Sequence, residues 1–265
     1  MASVTQPKSM DDQVAAVLRW LKRHGTKRNR DGMARYGIRV GNGQIFGVSM
    51  ATMQALARRL GRDHRLAAAL WDSGWYEARI LASFVDDPAQ VTSAQMDRWC
   101  RAFDNWAICD TVCLHLFDRT PHAWRKVPLW SRRQPEFVRR AGFVMLAALA
   151  LHDKQSDDAR FLRAMPLIEN TADDDRNFVK KAVNWALRGI GYRNPALHAA
   201  ALELAGRLAT AESPSARWVG KDAARQLTRP LVLRRLSARE SKAARSQQLP
   251  SMHSSRPAGP GEVRS

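Results

Sequence analysis

The chain has 265 residues, of which 45% are hydrophobic, so it is long enough to form a sizeable core. It contains 43 lysine and arginine residues against 25 aspartate and glutamate residues, a formal net charge of +18. A field of that sign attracts polyanions, above all nucleic acid, and an anionic membrane surface second. Most of the excess lies before Ser237, so we expect a patterned basic surface on the folded body.

Composition also bears on compartment and on bound groups. The three cysteines (Cys100, Cys109 and Cys113) are too few for a disulfide framework and suit a reducing cytosol. We expect free, buried thiols and neither a metal nor another cofactor. The longest apolar run, 141–151, is shorter than the roughly 20 residues that span a bilayer. It predicts a buried core helix and no membrane contact. We expect a cytoplasmic protein, associated with the nucleoid when bound to DNA.

In chain order, nearly every segment has the composition of an α-helix, because Ala, Leu, Arg and Trp dominate. Residues that commonly cap helices mark several predicted starts. These starts follow Ser49, Thr92 or Ser93, Asp175, and Ser213 with Pro214. The glycine-containing stretch 39–47 is the clearest loop between helices.

We divide the chain into three predicted parts. Residues 1–45 form an N-terminal helical segment and loop, and residues 46–236 form the main helical domain. From residue 237 to 265, serine, arginine, proline and glycine dominate without periodicity, so we predict a disordered basic tail.

Three similar hexapeptides recur about 40 residues apart, an interval typical of HEAT and armadillo helical-pair repeats. They are FVRRAG from Phe137, FVKKAV from Phe178 and WVGKDA from Trp218. A helix pair cannot bury its apolar face alone, so such pairs stack into a solenoid. We therefore predict an all-α, HEAT-like solenoid in which the aromatic residue and the following valine face the packing layer.

Basic residues share the register of the repeat. Arg140, Lys181 and Lys221 occupy equivalent positions, and Arg139 and Lys180 precede two of them. Equivalent positions on stacked helices line up, so the pattern predicts a concave basic face that follows a phosphate backbone. The alternative is that these doublets are ordinary solvated residues.

The stretch FDNWAICD, residues 103–110, places Trp106 four residues before Asp110. On a helix the two side chains lie on one face. By spacing alone, a packed tryptophan and a surface aspartate remain the simpler interpretation. We assign Trp71, Trp75, Trp99 and Trp218 to packing.

Five short segments, taken in order, resemble the AlkD-type alkylpurine DNA glycosylases of the DNA alkylation repair family. They are GVSMATMQALA (47–57), LWDSGWYEAR (70–79), NWAICD (105–110), RRAGFVML (139–146) and FVKKAVNWALR (178–188). The resemblance covers about residues 46–236 and implies that Asp110 is the catalytic carboxylate. It further implies that Trp106 and Trp185 line the cleft and that Arg140 holds a DNA phosphate. Asn105 departs from the family pattern, which often has a second tryptophan there.

The chemistry suits these residues. N3- and N7-alkylated purines are cationic and already activated as leaving groups, so a carboxylate need only stabilise the developing sugar cation and orient water. Aromatic faces favour a cationic base. The expected protein is a monomeric DNA glycosylase that excises such bases from duplex DNA and initiates base excision repair. A non-catalytic HEAT-like module that binds nucleic acid or bridges proteins remains the alternative.

Overall fold

A computed structural model describes residues 9–38 and 43–248, and all regular structure in these ranges is helical. The all-α prediction is therefore confirmed. Fourteen α-helices occur within the described ranges, together with one 3₁₀ turn at Phe117–Arg119. The helices are α1 (Met10–His24), α2 (Lys27–Arg35), α3 (Met50–Leu60), α4 (His64–Asp72), α5 (Tyr76–Val85), α6 (Ser93–Arg101), α7 (Trp106–His115), α8 (Ala123–Ser131), α9 (Glu136–His152), α10 (Asp158–Glu169), α11 (Asn177–Gly191), α12 (Pro195–Ala209), α13 (Pro214–Leu227) and α14 (Pro230–Gln248).

The helices form two layers. In the first layer, α3, α5, α7, α9, α11 and α13 each pack against the next helix of the series. In the second, α4, α8 and α12 pack against α5, α9 and α13 respectively. Each pair buries its apolar stripe against its partner and its neighbours, which is how helical repeats build one continuous core.

Helix α9 lies at the centre of the core. Residues 141–150 are all buried, which confirms the predicted core helix, and α9 packs against α7, α8 and α11. The three cysteines are free and buried in the same core, as predicted. No helix in the part of the chain that the structure describes is long and apolar enough to cross a membrane.

Capping residues set several helix starts. The side chains of Ser49, Thr92 and Ser213 accept a bond from a main-chain N–H in the first turn, as predicted. The start of α11 differs from the prediction, because the helix begins at Asn177 and not directly after Asp175.

The repeat register is correct for its valines and for Phe137, which is half-buried against the core, and wrong for Phe178 and Trp218. The equivalent valines are buried at Val138, Val179 and Val219. Phe178 is only half-buried, and Trp218 retains 40% of its surface exposed. Phe178 and Trp218 each precede the buried valine by one position, so they lie about 100° around the helix from it and turn away from the packing layer.

The predicted disorder from residue 237 is wrong as far as Gln248, because α14 continues to that residue. Arg239 donates hydrogen bonds to the carbonyl oxygens of Tyr192 and Arg193, at 2.6 and 2.9 Å, and so attaches α14 to the end of α11. Alanine, arginine and glutamine supply seven of the twelve residues 237–248, and these residue types favour helix despite the low hydrophobicity. Residues 249–265 of the predicted tail lie outside the described ranges.

The N-terminal segment joins the same core. Val17 and Leu21 of α1 are buried, and α1 packs against α4 and α5. The buried carboxylate of Glu77 accepts hydrogen bonds from the main-chain N–H groups of residues 46, 47 and 48, the one from Gly47 at 2.6 Å. This contact fixes the described end of the predicted 39–47 loop, whose residues 39–42 lie outside the described ranges.

We expect Glu77→Gln to lower the free energy of unfolding by about 2–3 kcal/mol, because hydrogen bonds to a charged acceptor are lost and an amide N–H₂ faces main-chain donors. Urea denaturation measures the change. The matched control is Glu203→Gln, which removes an exposed charge paired with Arg207 and should change stability by less than about 1 kcal/mol. Equal effects of the two substitutions would contradict the anchoring role of Glu77.

Candidate active site

A cleft of about 640 Å³ lies along the first layer and is lined by residues of α7, α9, α11 and α13 and by the end of the α2 segment. Five residues predicted for the site line this cleft. They are Trp106, Asp110, Arg140, Lys181 and Trp185. The structure therefore brings together side chains that are up to 79 residues apart in sequence. Arg139, Lys180 and Lys221 are not among the lining residues.

Asn105 determines where α7 begins. Its buried side chain accepts a hydrogen bond from the main-chain N–H of Ile108 at 3.0 Å and donates to Asp104 at 2.7 Å. This N-cap makes Trp106 the first residue of the helix and places Asp110 one turn later on the same face. Asn105, where the resemblance led us to expect a second tryptophan, thus has a structural role in this chain.

Trp106 is held from the other side by the N-terminal segment. Its indole Nε1 donates a hydrogen bond to the main-chain oxygen of Tyr36 at 3.0 Å. Gly37 follows with φ +71°, a left-handed conformation that favours glycine, and lies beside the ring of Phe178 on α11. The segment therefore reaches across the cleft. Sequence analysis missed this contribution, because the segment carries no motif.

Asp110 and Arg140 form a bidentate ion pair between α7 and α9. Arg140 Nε donates to Asp110 Oδ1 at 2.8 Å, and Nη2 donates to Oδ2 at 2.7 Å. Nη1 donates to the main-chain oxygen of Phe178 on α11 at 2.5 Å. The side chains of Asp110 and Arg140 are only 13% and 6% exposed, so water screens the pair weakly.

The attraction between the two charges of the pair offsets part of the free-energy cost of burying them. Burial raises the pKa of the Asp110 carboxyl, while the charge and hydrogen bonds of Arg140 act to lower it. Burial disfavours the charged form of Arg140, but Asp110 more than compensates and the pKa of the guanidinium is raised. The geometry indicates that Arg140 fixes the orientation of the carboxylate. With three of its N–H groups engaged and little exposure, it is less suited to the predicted phosphate contact.

The other predicted cations differ in their surroundings. Arg139 pairs with the buried Asp174 at 2.9 Å, and Asp174 also pairs with Arg176. Burial of Asp174 raises its pKa, but the hydrogen bonds from the two arginines lower it overall. Lys180 places its ammonium 5.3 Å from the ring centroid of Trp218. Lys181 and Lys221 are exposed, so they are the members of the predicted row best placed to meet a phosphate.

Trp218 is a cleft residue, and its assignment to packing is wrong. It lines the cleft together with Asp222 and Asn184, neither of which sequence analysis singled out. A signal was present, because Trp218 shares the repeat phase of Phe178 and precedes Asp222 by the same four residues that separate Trp106 from Asp110.

Comparisons with known proteins agree with this fold. The family model described as DNA alkylation repair enzyme matches residues 17–227, a range that begins within α1 and ends at the last residue of α13. Among solved structures, the chain is similar to a protein from "a new family of proteins related to the HEAT-like repeat DNA glycosylases with affinity for branched DNA structures". The two are 19% identical with a TM-score of 0.67, and the match covers 80% of this chain and 94% of the other. At that identity the likeness shows the HEAT-like fold alone. No curated protein matches the chain significantly.

We expect Arg140→Met to destabilise the protein by about 3–5 kcal/mol near neutral pH, because it leaves a buried carboxylate without its partner. Losing Arg140 also raises the pKa of Asp110 in the folded state further. A folded-state pKa above the unfolded value means that stability falls as pH rises, so the loss should be smaller near pH 5. Urea denaturation at the two pH values measures it.

The control is the double variant Asp110→Asn/Arg140→Met, which removes both charges. It should be more stable than Arg140→Met near neutral pH, and its difference from the wild type should lack the pH dependence of the single variant. If Arg140→Met lost the same free energy of unfolding at both pH values, Arg140 would have no effect on the pKa of Asp110.

Proposed function

Because the chain belongs to the DNA alkylation repair enzyme family, we propose that it is a DNA glycosylase that hydrolyses the N-glycosidic bond of cationic N3- or N7-alkylated purines in duplex DNA. The observation that carries this proposal is the carboxylate of Asp110, oriented by Arg140, in a cleft that also contains the rings of Trp106 and Trp185. Such an enzyme initiates base excision repair.

Asp110 supplies the electrostatic part of the reaction. A cationic purine leaves without a strong general acid, and the sugar becomes positively charged as the bond breaks. The bidentate pair fixes one side of the carboxylate, and a carboxylate has about four lone-pair sites, so two remain for the sugar or for an attacking water. The water loses a proton to Asp110 as it adds to the anomeric carbon, and the neutral alkylated base departs.

The aromatic residues supply the preference for damage. Trp106 and Trp185 are half-buried and line the cleft, so part of each ring is accessible to a nucleotide. A cation near an indole face gains about 0.5–2 kcal/mol, which a neutral base does not. The hydrogen bond from Trp106 to Tyr36 and the helix start at Asn105 hold the Trp106 ring in one place. Discrimination by charge then needs no deep base pocket.

The basic face supplies sequence-independent affinity. Lys181 lines the cleft, and Lys221 is exposed at the equivalent position of the next repeat. Equivalent positions on neighbouring first-layer helices suit contacts to successive phosphates. With a net charge of +18, most of the affinity for duplex DNA should be electrostatic.

The competing function is a DNA-binding module that does not excise bases. The observation in its favour is that Asp110 has both oxygens engaged by Arg140 and is 13% exposed, so it serves equally well to join α7 to α9. The similar solved structure comes from a family described by its affinity for branched DNA. A chain of this second kind would bind a four-way junction and release no base.

We expect Asp110→Asn to lower the single-turnover release of N7-methylguanine from a methylated duplex by about 100-fold, because an amide stabilises the sugar cation poorly. The matched control is Asp72→Asn, which removes an exposed carboxylate from the end of α4 outside the cleft and should leave the rate unchanged. Binding of Asp110→Asn to an unmodified duplex verifies that the variant is folded.

Two results would contradict the proposal. Equal release by the wild type and Asp110→Asn would remove Asp110 from the mechanism. Binding of a four-way junction by the wild type without release from any methylated duplex would favour the non-excising module.

We expect Lys181→Gln to weaken binding to methylated and unmodified duplexes by the same factor and to reduce the slope of log K against log salt by about 1. The control is Arg207→Gln on α12, whose guanidinium pairs with Glu169 and Glu203 and should not contribute to the slope. Fluorescence anisotropy at several salt concentrations measures both. An unchanged slope for Lys181→Gln would show that Lys181 does not neutralise a phosphate.

A further inference from the structure

The cleft contains a second tryptophan–aspartate pair. Trp218 and Asp222 lie four residues apart on α13, as Trp106 and Asp110 do on α7, and all four residues line the cleft. On a helix this spacing places an aromatic ring and a carboxylate on one face. The α7 and α13 walls therefore present the same two side-chain types to the same space.

The two carboxylates differ in what neutralises them. Asp110 faces the buried guanidinium of Arg140, which holds both of its oxygens. Asp222 accepts a hydrogen bond from the neutral amide of Asn184 at 3.1 Å, and its other oxygen pairs with Arg225. Arg225 is 70% exposed, whereas Asp222 is 15% exposed.

This difference decides which carboxylate offers net negative charge to a ligand. The guanidinium of Arg225 is on the exposed side of this pair, so it can turn from Asp222 to water or to a DNA phosphate. Asn184 is 1% exposed and donates to both Asp222 and the main-chain oxygen of Val219, so it keeps the carboxylate in place when Arg225 leaves.

Trp218 already meets a cation. The ammonium of Lys180 lies 5.3 Å from its ring centroid, within the range of a cation–π contact. Trp218 is 40% exposed, so the ring is accessible from the cleft. Lys180 has a long, flexible side chain, and a planar cation that enters the cleft can displace its ammonium from the ring.

We propose that Trp218 and Asp222 form a second subsite of the cleft that binds the positively charged alkylated base. Through this subsite the protein distinguishes bases by their charge and not by their shape. The subsite takes a planar cation with N–H donors, because the ring attracts the charge and the carboxylate accepts the hydrogen bonds. It disfavours a phosphate, which Asp222 repels. The identity of the ligand rests on the proposed function, but the assignment of a cation-selective pair to α13 does not require excision.

The test compares two probes of the same shape and different charge. One duplex contains 2′-fluoro N7-methylguanosine, whose fluorine slows cleavage so that binding can be measured. The other contains the 2′-fluoro form of 7-methyl-7-deazaguanosine, which is neutral. Fluorescence anisotropy gives the ratio of the two Kd values for the wild type, Asp222→Asn, Trp218→Leu and the control Asp72→Asn.

We expect the wild type to prefer the cationic probe and both Asp222→Asn and Trp218→Leu to reduce that preference by about 3- to 30-fold. Asp72→Asn should keep the wild-type ratio. If the ratio of the two Kd values is unchanged in both α13 variants, the subsite is overturned. If the wild type then still releases N7-methylguanine, the proposed function stands without the subsite. In another outcome the wild type releases no base, but Asp222→Asn still reduces the preference for the cationic probe. That result supports the subsite and contradicts only the proposal that the protein hydrolyses the glycosidic bond.

Discussion

The ion pair between Asp110 and Arg140 is the interaction on which the cleft depends. It joins α7 to α9, and the additional bond from Arg140 to Phe178 extends the connection to α11. Three successive first-layer helices are therefore tied together by one guanidinium. A buried pair is seldom a net source of stability, because desolvation offsets much of the attraction, but it penalises any arrangement in which the partners separate. The relative position of the cleft walls follows from this requirement.

The same pair limits the chemistry that the cleft can perform. A carboxylate held on one side by a guanidinium is oriented but partly neutralised, so it suits a reaction in which the leaving group is already activated. The second carboxylate, Asp222, accepts a hydrogen bond from the neutral amide of Asn184 and pairs with an exposed arginine. The cleft thus contains two different anions, since Asp110 is fixed by Arg140 whereas Asp222 can pair with a ligand. They lie on α7 and α13, the first and last of the helices in this part of the first layer.

Sequence alone predicted the helical class and the repeat interval, because these depend on local composition and spacing. The group formed by Trp106, Asp110, Arg140 and Trp185 was predicted only from the resemblance of short segments to a known family, since spacing alone favoured packing for Trp106. It did not predict the partner of Arg140, since a guanidinium fits a phosphate and a carboxylate equally well and the partner is 30 residues away. Trp218 was assigned to packing because the repeat was interpreted as placing its aromatic position, together with the following valine, in the packing layer. The helical part of the tail was missed because low hydrophobicity outweighed its helix propensity.

The contact between Trp106 and the N-terminal segment has a consequence for how such proteins diverge. The indole is held by the backbone oxygen of Tyr36 and not by its side chain, which is 75% exposed. Almost any amino acid at position 36 can supply that oxygen, provided that the following residue turns the chain as Gly37 does. Relatives can therefore preserve this wall of the cleft while their N-terminal sequences drift beyond recognition.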